Sequence, residues 1–171
     1  MTQGAPDWRA VLVAALAALA VALAVALAGG LLTRTGPWSQ ALRRPAWRPP
    51  DWAFGPIWAV IFALITVSGV LAWSAAADAA GRAALVAAYA VNAALNIAWS
   101  GLFFRAERPD WAFVEILVLW VSILVLILVS LPLSMVSALL LLPYLAWVGV
   151  AACLNRAIVR LNGPFGRPRH G

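Results

Sequence analysis

The sequence predicts an all-α integral membrane protein, a bundle of five transmembrane helices with a Pro/Trp-rich loop between the first and the second. Of its 171 residues, 65% are hydrophobic and only 11% are charged, which is more apolar surface than a water-soluble domain of this size can bury. Uncharged runs recur along the chain, and a helix needs about 20 such residues to cross the hydrocarbon core. The whole chain, 1–171, is therefore expected to form one domain in a lipid bilayer.

Five apolar runs account for the spans. The first three lie at residues 10–33, 53–77 and 83–104. The first exceeds the roughly 7–15 residues of a signal-peptide core, so we expect it to be retained. The next uncharged stretch, 116–155, is too long for one helix, and Pro132 is the expected break because proline removes a backbone donor and clashes with the preceding turn. The fourth and fifth spans are thus predicted at 111–129 and 133–157, with a tail at 158–171.

Arginine supplies all 12 basic residues, against 6 acids, and its distribution predicts the orientation of the bundle. The first loop and the tail share one side of a five-span bundle, and both carry an arginine excess. The opposite side is balanced, so the positive-inside rule places the first loop and the C-terminus in the cytoplasm and the N-terminus opposite. Because the arginines lie at the ends of spans, we expect no nucleic-acid binding. The residues are Arg34, Arg43, Arg44 and Arg48 with Asp51 in the loop, Arg156, Arg160, Arg167 and Arg169 in the tail, and Asp7, Arg9, Asp78 and Arg82 opposite.

Residue types for metal or covalent chemistry are scarce. His170 is the only histidine and Cys153 the only cysteine, so the sequence excludes a His-based metal site and an intramolecular disulfide. It contains no phosphate-binding glycine motif and no Ser/His/Asp set. We therefore expect no catalytic residues, no metal site and no obligatory cofactor.

The segment from Pro37 to Trp58 is the most unusual part of the chain, with four tryptophans, five prolines and three arginines. Its prolines oppose a regular helix and push the preceding residues toward extended geometry. Its indoles offer broad apolar faces, each with one N–H donor. The segment is therefore predicted to be a stiff, extended lid over a binding site. The residues concerned are Pro45, Pro49 and Pro50, and Trp38, Trp47 and Trp52.

Three spans carry side chains at helical spacing that are candidates to line a pocket beneath this lid. Amides in hydrocarbon are costly unless they are paired, so Asn92 and Asn96 are expected to face inward. The alternative is that these amides only form hydrogen bonds to neighbouring helices. This interpretation is favoured more for Asn96 than for Asn92, because the neighbours of Asn92 are expected to be apolar. A stripe of aromatic side chains on a helix more often serves packing than binding. Here, three such stripes beneath one predicted lid favour a ligand-binding site. The stripes are Trp58 and Phe62; Asn92, Asn96, Trp99 and Phe103; and Trp147, Ala151 and Leu154.

Other residues of the spans have simpler interpretations. Glu115 lies one turn inside the fourth span and is expected to be an end charge near Arg108 that reaches the interface. Trp8, Trp73 and Trp111 suit an interfacial aromatic belt. The small residues of the first span permit close helix approach, within the bundle or across a dimer. These are Ala14, Ala18, Ala22 and Ala26.

Three stretches match a known pattern closely. The loop reads W-x-x-x-L-x-R-P-x-W-x-P-P-x-x-x-F-x-P-x-W (38–58), the third span N-x-x-x-N-x-x-W-x-x-x-F-F (92–104), and the fifth P-Y-L-x-W-x-x-x-A-x-x-L-N (143–155), with Asn162 following. In these stretches the chain resembles the TspO/MBR family of tryptophan-rich sensory proteins, and the similarity extends over most of its length, from Gly29 to Asn162. Two departures are Asn92, where many members have Gln, and Tyr144, which is followed by no base until Arg156, against the sterol motif of the animal proteins.

The resemblance implies a five-helix bundle, commonly a homodimer, with a pocket between helices closed by the first loop. It also implies that the ligand is a porphyrin, such as protoporphyrin IX or haem, or another hydrophobic small molecule. The implied pocket residues are Trp38, Trp47, Pro50, Trp58, Phe62, Asn92, Trp99, Trp147 and Ala151. Candidates to contact the porphyrin propionates are Arg43, Arg44 and Arg48.

From the resemblance we expect a membrane receptor or sensor with a regulatory role in tetrapyrrole metabolism or stress response, and not an enzyme. Two alternatives stay open: transport of porphyrin or another hydrophobic molecule, and light- or oxidant-dependent breakdown of bound porphyrin. Transport is less favoured because the spans lack the paired internal charges and broken repeat halves of coupled transporters. Breakdown would depend on tryptophan as the redox participant.

Overall fold

A computed structural model of the protein describes residues 8–33 and 36–166. Several charges used above for orientation (Asp7, Arg34, Arg167 and Arg169), together with His170, lie outside the described residues. Within the described ranges the chain is helical, with short connections. The elements are α1 (Trp8–Leu32), α2 (Pro37–Ala41), α3 (Asp51–Ala75), α4 (Ala79–Ser100), a π-helical turn (Gly101–Arg105), α5 (Pro109–Ser130), α6 (Met135–Leu140) and α7 (Leu142–Asn162).

Within the described residues, five helical stretches are long and apolar enough to cross a membrane, which confirms the predicted all-α membrane bundle. They are Val11–Leu32, Asp51–Ala75, Ala79–Arg105, Pro109–Ser130 and Met135–Asn162. The predicted break at Pro132 is present, because residues 131–134 separate α5 from α6. Ser134 begins α6 by accepting a hydrogen bond from the backbone N–H of Ser137 at 3.2 Å.

Three boundaries differ from the prediction. α4 begins at Ala79 rather than at 83, because the Asp78 carboxylate accepts a hydrogen bond from the backbone N–H of Gly81 at 2.7 Å and so caps the helix. α7 continues to Asn162 rather than ending at 157, and stops where Gly163 and a proline follow. The first loop (33–50) is not extended throughout, since Pro37–Ala41 form a short helix with proline at its first position.

The five spans close into a ring. α1 packs against α3 and α4, α5 packs against α4 and α7, and α3 packs against α6 and α7. The main hydrophobic core lies where α3, α5 and α7 meet, and includes Ile61, Ile116, Ile123, Tyr144 and Val148. Because the side chains of α3, α4 and α7 all reach this core, the three predicted stripes face one interior.

Hydroxyl groups tie together the half of the bundle farther from the first loop. Ser68 Oγ lies 2.9 Å from both Tyr89 OH and Ser137 Oγ, and Ser137 Oγ donates to the carbonyl of Ser68 at 2.8 Å. These bonds join α3, α4 and α6. Interhelical hydrogen bonds in a membrane are worth about 0.6–2 kcal/mol each, so this half is held closed by side chains.

Tryptophans at span ends pair with arginines. The guanidinium carbons lie 5.4, 5.2 and 5.0 Å from the ring centroids, a geometry suited to cation–π attraction. An amphipathic ring beside a snorkelling cation is the arrangement expected at the boundary between lipid and water. The pairs are Trp8 with Arg9, Trp73 with Arg82, and Trp111 with Arg108.

The π-helical turn inserts an extra residue where α4 approaches the first loop. The backbone N–H of Ala106 bonds to the carbonyl of Gly101, five residues earlier, at 2.9 Å. Phe103, inside this turn, is buried and meets the ring of Trp38 edge-on, with a centroid distance of 6.2 Å. The turn therefore directs Phe103 toward the loop.

Candidate ligand site beneath the first loop

Aromatic rings from the first loop and three spans meet at one end of the bundle. The edge-on contact between Trp38 and Phe103 joins the loop to the π-helical turn. Phe103 also contacts Trp99, at a centroid distance of 5.2 Å. Phe54 on α3 contacts Trp147 on α7 at 5.5 Å. Trp38 thus joins the first loop to a group of aromatic side chains on the spans, and the role of the loop as a lid stays a prediction.

A second aromatic group surrounds Trp58, one turn deeper. Its ring stacks on Phe62 at a centroid distance of 5.4 Å and meets Tyr144 edge-on at 6.1 Å. Trp147 and Ala151 pack against the same core. These rings fill the interior by contacting one another, so a flat ligand must replace ring–ring contacts with ring–ligand contacts.

The amides of Asn92 and Asn96 form hydrogen bonds between helices. Asn96 Nδ2 donates to Tyr144 OH at 3.1 Å, and Tyr144 OH donates to Asn92 Oδ1 at 3.2 Å. Asn92 Nδ2 donates to Ser122 Oγ at 2.8 Å. The expectation that Asn92 has only apolar neighbours is wrong, because folding brings Ser122 and Tyr144 to it from α5 and α7. A ligand that bonds to either amide must compete with this network.

Asn155 connects three helices near the loop. It accepts a hydrogen bond from Trp99 Nε1 at 3.1 Å and donates from Nδ2 to the carbonyl of Pro109 at 2.8 Å. Its side chain is buried, with 1% of the residue exposed. Pro109 begins α5, so Asn155 on α7 fixes both the start of α5 and the orientation of the Trp99 ring.

Asn162 fastens the first loop to the end of α7. The backbone N–H of Arg43 donates to Asn162 Oδ1 at 2.7 Å, and Asn162 Nδ2 donates to the carbonyl of Arg43 at 2.8 Å. The same Nδ2 donates to the carbonyl of Ile158 at 2.8 Å. We call the paired bonds between Asn162 and Arg43 the loop clasp. Because the clasp uses only the backbone of Arg43, its guanidinium is not consumed by it.

The other two arginines of the loop differ in their partners. Arg44 donates to the carbonyl of Ser39 at 2.7 Å. Arg48 forms an ion pair with Asp51. Partial burial, and after it the charge of Arg44, lower the pKa of Arg48 from its ordinary value. Asp51 already balances the Arg48 charge, so Arg43 and Arg44 are the better placed to meet an anion.

Two of the predicted pocket residues lie away from these aromatic groups. Trp47 is 54% exposed and Pro50 is also exposed, on the outer side of the loop. A cavity of about 230 Å³ lies between the start of the first loop and the residues that end the π-helical turn, where Trp38 and Phe104 line it. Contact of any predicted pocket residue with a ligand stays a prediction. Those that line or adjoin the shared interior are Trp38, Trp58, Phe62, Asn92, Trp99, Trp147 and Ala151.

Comparison with known proteins places this architecture in a family. Residues 17–161 match the model of the TspO/MBR family. The chain belongs to the TspO/MBR family. It is 37% identical over 126 residues to "Tryptophan-rich protein TspO" of Chlorobaculum tepidum, covering 71% of this chain and 77% of that protein. It is 31% identical over 126 residues to the human "Translocator protein", covering 73% and 75%. It is 31% identical over 133 residues to the "Tryptophan-rich sensory protein" of Cereibacter sphaeroides, covering 78% and 82%.

Three polar residues that hold the site of this TspO/MBR protein together were assigned no role from the sequence. They are Ser122, Asn155 and Asn162, whose partners lie on other elements. A polar side chain inside an apolar span indicates a polar partner in the interior of the bundle. This inference could have been made for Ser122 and Asn155. It does not apply to Asn162, which lies at the end of α7 and bonds to backbone.

Glu115 of this TspO/MBR protein is not an end charge at the interface, so that interpretation is wrong. Arg108 is engaged by Asp110, at 2.8 and 2.6 Å from the two carboxylate oxygens. Both carboxylate oxygens of Glu115 are buried and lack a hydrogen-bond partner among the described residues. Ser122, two turns further along α5, bonds to α4, so Glu115 lies on the side of α5 that faces α4.

Replacing Glu115 with methionine is expected to stabilise this TspO/MBR protein. A buried carboxyl group without a partner costs about 1–3 kcal/mol, and Glu115→Met replaces it with an apolar side chain of similar size. Titration with sodium dodecyl sulfate, followed by far-UV circular dichroism, measures the change in the free energy of unfolding. Asp110→Asn is the matched control and should lower stability by less than about 1 kcal/mol, as for other partly exposed ion pairs. A loss of stability in Glu115→Met would show that the carboxyl group has a favourable partner.

Proposed function

We propose that this protein is a membrane receptor or sensor that binds a porphyrin between α3, α4 and α7, beneath the first loop. The observation that carries the proposal is the convergence of aromatic rings from the loop and all three helices on one interior, beginning at Trp38 and reaching Trp58. The family includes proteins named as tryptophan-rich sensory protein and translocator protein, which supports a receptor role in a membrane.

A tetrapyrrole matches the chemistry of this site. Its macrocycle is flat and apolar, and indole rings offer large rigid faces for stacking. Its propionates are anionic, and arginine binds carboxylates through paired, charge-assisted hydrogen bonds. Arg43 and Arg44 supply that charge at the rim, on the loop that covers the rings. A porphyrin would therefore lie with its ring plane in the bundle and its propionates at the loop.

The first loop is proposed to be the gate of this site. The rings fill the interior, so a ligand of porphyrin size enters only if the loop moves. Two contacts oppose that movement: the loop clasp between Asn162 and Arg43, and the contact between Trp38 and Phe103. Because these contacts are few, the loop can open and close again during ligand exchange.

Orientation and assembly complete the proposal. The arginine excess of the first loop and of the end of α7 supports a cytoplasmic position for this end of the bundle. The N-terminus of α1 then lies on the opposite side. We propose that the functional unit is a homodimer in the lipid bilayer, as the resemblance implies, with one porphyrin site in each subunit.

Porphyrin binding is tested by titrating the purified protein with protoporphyrin IX and following tryptophan fluorescence. Saturable quenching is expected, and Trp58→Leu and Trp147→Leu should each weaken the apparent affinity roughly tenfold or more, because stacked rings are lost. Trp73→Leu, at the other end of α3, is the matched control and should bind as the parent protein does.

Absence of saturable quenching would contradict the proposal, as would an equal loss in Trp73→Leu. The porphyrin absorption spectrum during the same titration separates binding from breakdown. A spectrum that stays unchanged in the dark and under illumination is expected for a receptor. A new band that grows with illumination, and disappears in Trp147→Leu, would favour the enzymatic alternative.

A further inference from the structure

A second cavity, of about 610 Å³, lies outside the aromatic interior, between the first loop and the last turns of α7. Among the described residues, its lining combines three arginines with an apolar surface and includes no carboxylate. The residues are Arg44, Pro45 and Ala46 from the loop, and Cys153, Arg156, Ala157, Arg160 and Leu161 from α7. We call it the arginine groove.

The positive charge of the groove has no acidic counterpart in the described part of the chain. Arg156 and Arg160 are four residues apart on α7, so they lie on one face, where like charges repel. Arg44 adds a third positive charge from the loop. The ion pairs that the structure does contain, Arg48 with Asp51 and Arg108 with Asp110, lie elsewhere. Three arginines that line one groove without a carboxylate favour a bound anion.

The apolar side of the groove continues into the membrane-spanning part of α7. Cys153, Ala157 and Leu161 recur at four-residue spacing along the same face. At a rise of about 1.5 Å per residue, they extend over about 12 Å of the helix. Arg156 and Arg160 alternate with this stripe near the end of the span, and Cys153 lies on the bilayer side of both. An acyl chain that leaves the groove past Cys153 would enter the hydrocarbon while the arginines stay at the interface, as in the order of groups of a phospholipid.

We propose that the arginine groove binds an anionic phospholipid, with its phosphate between Arg44, Arg156 and Arg160 and its glycerol and upper acyl chain along Cys153 and Ala157. Arginine recognises phosphate through paired hydrogen bonds, and basic pockets beside spans select anionic head groups. A phosphatidylcholine carries its own compensating cation, so the groove distinguishes phosphatidylglycerol from it. The bound lipid contacts the loop and α7 from outside the bundle, and of the residues proposed to hold it only Arg44 is also a candidate to contact a porphyrin propionate.

Native mass spectrometry of the detergent-solubilised protein tests the proposal. The parent protein should retain one phosphatidylglycerol and not retain phosphatidylcholine of the same acyl chains. Arg156→Gln with Arg160→Gln should weaken phosphatidylglycerol retention roughly tenfold or more, because two charge-assisted contacts are removed. Arg43→Gln is the matched control, since Arg43 lies on the same loop but outside the groove, and it should retain the lipid.

Cys153 supplies a second readout that does not depend on stability. It is exposed, lines the groove and is the only cysteine of the chain. Phosphatidylglycerol should slow its reaction with N-ethylmaleimide severalfold, and phosphatidylcholine should not. Arg156→Lys with Arg160→Lys keeps the charge but not the paired geometry, and should show intermediate protection.

Several results would overturn the proposal. Equal retention of the two lipids would show that the groove does not select an anionic head group. An equal loss in Arg43→Gln would assign the effect to general surface charge. Protection of Cys153 by inorganic phosphate as strong as that by phosphatidylglycerol would identify a free anion rather than a lipid as the ligand. None of these measurements includes porphyrin, so failure here leaves the proposed porphyrin site to its own test.

Discussion

Asn155→Leu is expected to lower the free energy of unfolding by about 2–6 kcal/mol, since it leaves two groups inside the bundle without partners at about 1–3 kcal/mol each. These groups are the indole N–H of Trp99 and the carbonyl of Pro109. Leucine is close to asparagine in size, so the loss is attributed to hydrogen bonds rather than to a cavity. Titration with sodium dodecyl sulfate in mixed micelles, followed by circular dichroism, gives the change.

Trp99→Phe is the matched comparison, because it removes the indole donor and keeps an aromatic ring of smaller size. Its loss of stability should be smaller than that of Asn155→Leu. In the double variant the two effects should not add, because the bond between Trp99 and Asn155 can be lost only once. Full additivity would contradict the observed hydrogen bond. A stability of Asn155→Leu equal to that of the parent would show that water or lipid satisfies both groups.

Asn162→Ala is expected to accelerate both binding and release of protoporphyrin IX by about 5- to 30-fold. It removes both bonds of the loop clasp, which together contribute about 1–2 kcal/mol. If the loop must open before a ligand enters, the population of the open state rises by that factor while the interior of the site stays intact. Stopped-flow quenching of tryptophan fluorescence measures both rates.

Asn162→Asp is the informative control for the clasp. It keeps an oxygen that accepts from the N–H of Arg43 but loses the donor to the Arg43 carbonyl, so its exchange rates should fall between those of the parent and of Asn162→Ala. Unchanged rates in Asn162→Ala would show that the clasp does not limit exchange. A large loss of affinity, with the rates of binding unchanged, would instead place Asn162 in the ligand site itself.

Most of the fold could be predicted from the sequence, because each apolar segment that is long enough to cross the bilayer is expected to form a helix. The lengths of the uncharged runs predicted the membrane spans, and Pro132 predicted the break between the fourth and the fifth. The boundaries that were missed depend on local hydrogen bonds, such as the cap that Asp78 provides to α4. The short helix at Pro37–Ala41 was missed because proline was treated only as a helix breaker, although it is favourable at a first helical position.

The candidate site could be predicted in part. Aromatic stripes follow from helical spacing, and Trp58, Trp99 and Trp147 do reach one interior. Their polar partners could not be predicted, since a hydrogen bond between Arg43 and Asn162 joins positions 119 residues apart. The environment of Glu115 was also beyond sequence reasoning. Its closeness in sequence to Arg108 suggested an end charge at the interface, but the guanidinium of Arg108 donates to both carboxylate oxygens of Asp110.

The π-helical turn at Gly101–Arg105 makes the docking of the loop depend on helical phase. Each residue of a helix advances the side-chain direction by about 100°, so the one extra residue decides where Phe103 points. Deleting Leu102, which precedes Phe103 in the turn, would restore regular α-helix and rotate Phe103 away from Trp38, although every side chain named in the site would still be present. For this protein, the spacing between α4 and α5 is therefore as much a determinant of the lid as the tryptophans themselves.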